Sequence, residues 1–251
     1  MEGVDTLFPA PAANLTDDDL AAIYQFPPES PGTYVRANMV ISLEGGAAID
    51  GVSAGLGSDS DRRVFNIQRD LADVILVGAG TVRKEGYGPS PLPNDRAQRR
   101  QRWTGRAQAP YAVVTKSGLD PELSFFNASE VQPLVITTTA GAEAMSGLRA
   151  GAASIIIAGD EDVDLQVALK ALRDKGFSRV HCEGGPSLLG LMVAAGMVDE
   201  LCLTTAPLLI GNASSTTLLG DTELPAPAKW TLASLLMGSG QLFSRYVRSS
   251  S

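Results

Sequence analysis

Four segments of this chain place glycines, hydroxyls and charges where apolar runs break. The most informative is Val180-His181-Cys182-Glu183-Gly184-Gly185-Pro186-Ser187-Leu188-Leu189. A β-branched run ends at a carboxylate and two glycines, and Pro186 stands where a helix would begin. Glycines let a ligand approach the backbone, and the unpaired N–H groups of the new helix point toward the break. That turn suits a phosphate or pyrophosphate, with Glu183 aimed at the same place. The other three segments are Gly78-Ala79-Gly80-Thr81-Val82-Arg83 after the run VILV, Thr115-Lys116-Ser117-Gly118, and Ala158-Gly159-Asp160. In open α/β sheets ligands collect at the carboxyl ends of the strands. Each turn alone describes a tight strand-to-helix connection equally well; four together suit a dinucleotide. The third glycine of a G-x-G-x-x-G fingerprint is absent, because Arg83 stands there. Lys116 and Ser117 occupy the place where an acidic residue would hold a ribose, which favours the 2′-phosphate of NADP over NAD.

Other chemistries are poorly served. Neither glycine turn continues as Gly-Lys-Ser/Thr, so there is no phosphate loop of the Walker kind, and no G-x-S-x-G elbow occurs. His181, the sole histidine, lies inside an apolar run and reads as a buried structural imidazole rather than a triad base. Cys182 and Cys202 also sit in apolar runs and read as small buried hydrophobes, not as a disulfide or zinc ligands; no metal site is expected. The net charge of −8 argues against nucleic acid or an anionic membrane as partner. No signal peptide and no run of spanning length is apparent, so a cytoplasmic, reduced compartment is expected.

Strands alternating with helices must position these turns. Tyr34–Ser42, Val74–Val77, Tyr111–Thr115, Leu134–Thr138, Ser154–Ala158, Ser178–Cys182 and Glu200–Thr205 read as strands. Residues 59–71 read as a helix capped by Ser58, with Val64, Ile67 and Leu71 inward; Asp164–Lys175 and residues 186–195 read as two more. Leu242–Val247 reads as a final, antiparallel strand. The pattern implies an α/β domain with a mostly parallel sheet covered on both faces. One core domain over residues 34–251 is expected, preceded by an arm, residues 1–33, carrying one helix capped by Thr16. Residues 88–110, rich in proline and arginine, read as a solvated loop, or alternatively as a lid over an anionic ligand.

A last motif runs from Asn38 through Ser42-Leu43-Glu44-Gly45-Gly46 to Asp50-Gly51, and by itself permits a hairpin or bulge. In this order, with GAGTVR and EGGPSLL, it resembles the pyrimidine reductase family of riboflavin biosynthesis, over about Tyr34 to Val247. That family includes the reductase half of the bifunctional deaminase-reductase. The resemblance also draws on the block from Ser58 to Gly88 and on the segment AGMVDELCLTTAPLLIG. The deaminase residues H-x-E and P-C-x-x-C do not occur here.

The resemblance implies a dihydrofolate-reductase-like fold, an NADPH-dependent reductase and a homodimer. It places cofactor contacts on Thr81, Glu85, Lys116, Ser117 and Gly185 through Leu189. The two glycine turns add Gly78, Ala79, Gly80, Arg83 and Gly184 to that set, and the fourth strand end adds Ala158 and Gly159. Substrate contacts are expected at Asn38, Ser42, Ser53, Arg69 and Glu183, with Arg69 on a ribose phosphate. Glu183 and Glu44 are the expected catalytic carboxylates. The implied reaction passes hydride to C1′ of the open imine form of a ribosylaminopyrimidine phosphate, giving the ribitylamine. Asn38 stands where bifunctional members carry Lys, Glu44 where they carry Asp, and Gly46 where Arg is frequent. A pterin reductase, gripping its substrate with Glu44 or Glu183, is therefore a second reading, and an NADPH-binding sensor a third.

Overall fold

The central apolar runs are buried on both faces, as parallel strands require. The computed structural model describes residues 3–28, 32–88, 91–127, 131–211 and 216–249. Its strands are β1 (Asp5–Phe8), β2 (Tyr34–Ile41), β3 (Val74–Gly78), β4 (Tyr111–Val114), β5 (Leu134–Thr137), β6 (Ser154–Ile157), β7 (Arg179–Cys182), β8 (Glu200–Thr205), β9 (Trp230–Gly238) and β10 (Gln241–Arg248). They form one sheet in the order β1-β9-β10-β8-β2-β7-β3-β4-β5-β6. From β8 to β6 the strands run parallel; β10, β9 and β1 extend the sheet antiparallel.

The helices are α1 (Asp17–Ile23), α2 (Asp59–Leu71), α3 (Ala79–Glu85), α4 (Asn94–Thr104), α5 (Thr139–Ala144), α6 (Leu165–Asp174) and α7 (Pro186–Ala194). On one face α6 and α7 bury Leu172, Leu189 and Met192 against Val35, Leu76 and Val180. On the other, α1 and α2 bury Leu20, Val64 and Ile67 against Cys202, Leu236 and Phe243. Ser58 caps α2 by accepting from the Asp61 N–H, and Asp59 and Asp61 complement its dipole.

Two expectations need correction. Within residues 1–33, β1 hydrogen-bonds to β9 as the outermost strand, and Val4, Leu20, Tyr24 and Phe26 are buried with α2. This segment is thus part of the sheet and core rather than a detached arm. The middle of the expected loop 88–110 is α4, which docks through charge rather than an apolar stripe. Arg96 and Arg99 both pair with the buried Asp70 at 2.7 Å, and Arg100 donates to the carbonyls of Arg69 and Ala72. Arg106 donates to the Gly176 carbonyl and lies over the Phe177 ring. Arg96, Arg99, Arg100 and Arg106 are thus committed to the protein, while Arg102 is exposed.

Candidate active site

β7 and β3 are neighbours, so their two glycine turns meet at the carboxyl end of the sheet. The Gly78 N–H donates to the Gly184 carbonyl at 2.7 Å, and the Gly185 N–H donates to Thr81 Oγ1 at 2.9 Å. The fit excludes side chains. A Cβ on Gly185 would lie 2.6 Å from Thr81 Oγ1, and one on Gly184, at φ +73°, would lie 2.8 Å from Met39 Sδ. Pro186 opens α7, whose first N–H groups face the same side.

A cleft of about 1390 Å³ opens over these turns. Its wall includes Gly78, Ala79, Gly80, Thr81, Arg83, Glu85, Lys116, Ser117, Gly185, Pro186, Ser187 and Leu188. A Cβ at Gly80 would meet nothing within 4 Å, so the glycine keeps the cleft open there. At one end Lys116 pairs with Asp162 at 2.6 Å, both well exposed, beside Val163 and Leu165. At the other end Asn38, Ser53, Asp61, Arg62, Phe65 and Lys84 line the wall.

Glu183 stands between the two ends, its side chain 2 % exposed. Arg69 binds both its oxygens, at 2.5 and 2.7 Å, and the Tyr87 hydroxyl donates to Oε2 at 2.5 Å. Burial opposes the charge of Glu183, but Arg69 outweighs it and holds the carboxyl below its ordinary range. Burial likewise opposes the charge on Arg69, and Glu183 holds that guanidinium pKa above its usual value. Arg69 also lies over the rings of Phe65, Tyr87 and Tyr111. Behind the pair His181 is fully buried, its Nε2 3.6 Å from Glu183, with neither ring nitrogen hydrogen-bonded.

Several expected site residues lie elsewhere. Glu44 is exposed and off the cleft wall, and its Oε1 accepts from the Ile210 and Gly211 N–H groups at 2.6 and 2.7 Å. The Ser42 side chain, its own N–H and these two amides hold its carboxyl at about 2. Ser42 is buried and its hydroxyl accepts from the Gly46 N–H. Ala158 and Gly159 open the β6–α6 connection, where the Gly159 carbonyl accepts from the Thr139 N–H at the start of α5; the cleft is reached instead by Asp162, Val163 and Leu165. Gly184 and Leu189 support the wall from behind. Arg69 is spent on Glu183 and does not line the cleft, so it is not a free cation for a phosphate. Sequence reasoning passed over Asp61, Arg62, Phe65, Lys84 and Tyr87 as site residues. Asp61, Phe65 and Arg69 recur at i, i+4 and i+8, a spacing that could have shown them on one face of α2.

A mostly parallel α/β sheet with an antiparallel edge and glycine turns over a long cleft defines an oxidoreductase of the dihydrofolate-reductase-like fold. Residues 33–242 match the RibD C-terminal domain family, and the chain belongs to that family. It is 28% identical over 187 residues to a 2,5-diamino-6-ribosylamino-4(3H)-pyrimidinone 5′-phosphate reductase from Methanothermobacter thermautotrophicus, covering 74% of this chain and 83% of that one. It is 30% identical over 191 residues to the riboflavin biosynthesis protein RibD of Bacillus amyloliquefaciens, with 74% of this chain but only 48% of that protein covered. Among solved structures, a pyrimidine reductase-like protein from Corynebacterium diphtheriae superposes with a TM-score of 0.75 at 29% identity, over 87% of this chain and 93% of that one. No helix among the described residues is long and apolar enough to cross a membrane.

Proposed function

We propose that this oxidoreductase uses NADPH to reduce a ribosylaminopyrimidine 5′-phosphate to its ribitylamino product in riboflavin biosynthesis. The substrate is 5-amino-6-(5-phosphoribosylamino)uracil or its 2,5-diamino-4-oxo analogue. One observation carries the reading: two interlocked glycine turns and the start of α7 form one wall of a cleft large enough for a dinucleotide beside a second ligand. The residues fit the cofactor. Thr81 and Gly185 through Leu188 border the pyrophosphate position, and Lys116 with Ser117 supplies a cation and a hydroxyl for a 2′-phosphate.

The cofactor, when bound, supplies hydride to C1′ of the open imine. The chain's contribution is to hold both reactants in one walled cleft and to limit water. Glu183 is ionised and paired, so it orients a substrate N–H or O–H rather than giving up a proton. With Arg69 committed, the ribose phosphate falls to Arg62 and Lys84, exposed cations at the same end of the cleft. The pterin reading loses Glu44, which is off the cleft and bound by the Ile210 and Gly211 amides. We further propose a homodimer in the cytoplasm.

The test is turnover by purified protein, with the aminopyrimidine ribosyl phosphates and dihydrofolate compared, alongside fluorescence titration with NADPH and NADH. The reading expects NADPH to bind at least ~10-fold tighter than NADH and the pyrimidines to be reduced. Equal binding of the two cofactors, or turnover of dihydrofolate alone, would overturn it.

A further inference from the structure

Five carboxylates line the cleft wall: Asp61, Glu85, Asp162, Glu183 and Asp221, the last of them exposed. Glu183 is bound by Arg69 and Tyr87, Asp162 by Lys116, and Glu85 accepts from the Ser53 N–H at 2.7 Å. Asp61 is different. It is half-buried on the first turn of α2, lines the cleft, and is in no ion pair among the described residues. Thr204 of β8 is its polar neighbour and favours its charged form. Burial pushes its carboxyl pKa up, only partly offset by Thr204 and Arg62, as for a group lacking the donors that would settle its charge. One helical turn further along the same face is Phe65, also on the cleft wall, and one turn beyond that is the Arg69–Glu183 pair.

A half-buried carboxylate with spare lone pairs beside an aromatic ring is complementary to a flat heterocycle with two adjacent N–H donors. A 2-amino-4-oxopyrimidine has such an edge, in its N3–H and its 2-amino group. A 2,4-dioxopyrimidine has N3–H flanked by two carbonyl oxygens, so one carboxylate oxygen would face another acceptor. We propose that Asp61 is a specificity-determining residue that accepts from the N3–H and 2-amino groups of the pyrimidine, and that the chain thereby selects the 2-amino-4-oxopyrimidine over the uracil form. This rests on the pyrimidine reductase reading above and decides between its two substrates. A site built to pair a substrate N–H rejects an analogue lacking it far more strongly than an apolar pocket rejects a missing methylene.

The experiment measures kcat/KM for 2,5-diamino-6-(5-phosphoribosylamino)pyrimidin-4-one and for 5-amino-6-(5-phosphoribosylamino)uracil, with the wild-type chain and with Asp61→Asn. The wild type should prefer the diamino substrate by at least about 100-fold. The asparagine can accept from N3–H and donate to a 2-oxo group, so the variant should lose activity on the diamino substrate and gain on the uracil. A merely structural role would lower both by the same factor. Equal wild-type efficiency on the two, a preference for the uracil, or a parallel loss in the variant would overturn this assignment while leaving the pyrimidine reductase reading intact. Turnover of neither pyrimidine by the wild type would overturn that reading and this one with it. The wild-type comparison needs no variant, so it stands even where Asp61→Asn fails to fold.

Discussion

Glu183 keeps its charge in a nearly closed environment because Arg69 and Tyr87 direct three hydrogen bonds at it, and the imidazole behind it stays neutral for the complementary reason. His181 is fully buried without a hydrogen-bond partner, and burial pulls its pKa down to about 3, with Glu183 opposing that shift only in part. In the unfolded chain the imidazole takes its proton near pH 6.5. Between that value and about 3 the unfolded state binds a proton that the folded state refuses. The contribution is therefore complete above pH 6.5 and is lost as pH falls, by up to about 1.4 kcal/mol per unit. From pH 7 to pH 5 it amounts to about 2 kcal/mol. His181→Gln removes the titration, so its stability, read from the urea midpoint, should fall less over that interval than that of the wild type. An identical fall in both proteins would show that the imidazole is already accessible to protons in the native state.

At the scale of elements, the site depends on how the turn after β3 and the turn after β7 lock together. Gly185→Ala puts a methyl 2.6 Å from Thr81 Oγ1, the atom that accepts the Gly185 N–H. The two turns must part, and NADPH affinity should drop at least ~10-fold with a lower melting temperature. Removing the obstructing hydroxyl in Thr81→Ala/Gly185→Ala should restore part of the melting temperature; strictly additive losses would mean that the two turns are not coupled. These elements were legible because their signals are local. The Ser58 cap and the spacing of Val64, Ile67 and Leu71 define α2 at its observed bounds, and apolar runs ending in glycine mark β3 and β7. Helix α4 was not legible, because it docks through arginines whose acceptors, Asp70 and the α2 carbonyls, are supplied by tertiary structure. Strand β9 escaped because its run, WTLASLLMG, does not alternate cleanly, and β1 is a four-residue edge that gains meaning only beside it. The site shows the same division. Its glycine walls follow from local backbone needs, whereas Asp61 reads as a first-turn acid until β8 brings Thr204 to it.

For the whole molecule, one face of the antiparallel extension carries exposed apolar side chains. Phe243 and Leu236 of β10 and β9 point toward α1 and α2 and are buried. By register, Leu242 is opposite Met237, and Ser244 is opposite both Leu235 and Leu203, so these side chains share the other face. There Met237 and Leu242 are 39% and 38% exposed, and Leu203 and Leu235 are only partly covered. An apolar sheet face of this kind costs hydration free energy unless something covers it. A second copy can do so by an isologous contact in which the same patch serves both chains. A stable interface of that type buries roughly 1,600 Å² in total, which four strands can supply. The wild-type protein should therefore sediment at twice its 26.2 kDa chain mass. Met237→Lys combined with Leu242→Asp places charges at the middle of the patch and should yield monomers that keep their secondary structure by circular dichroism. A wild-type protein that sediments as a monomer at micromolar concentration, or a double variant that remains dimeric, would remove this face as the site of assembly.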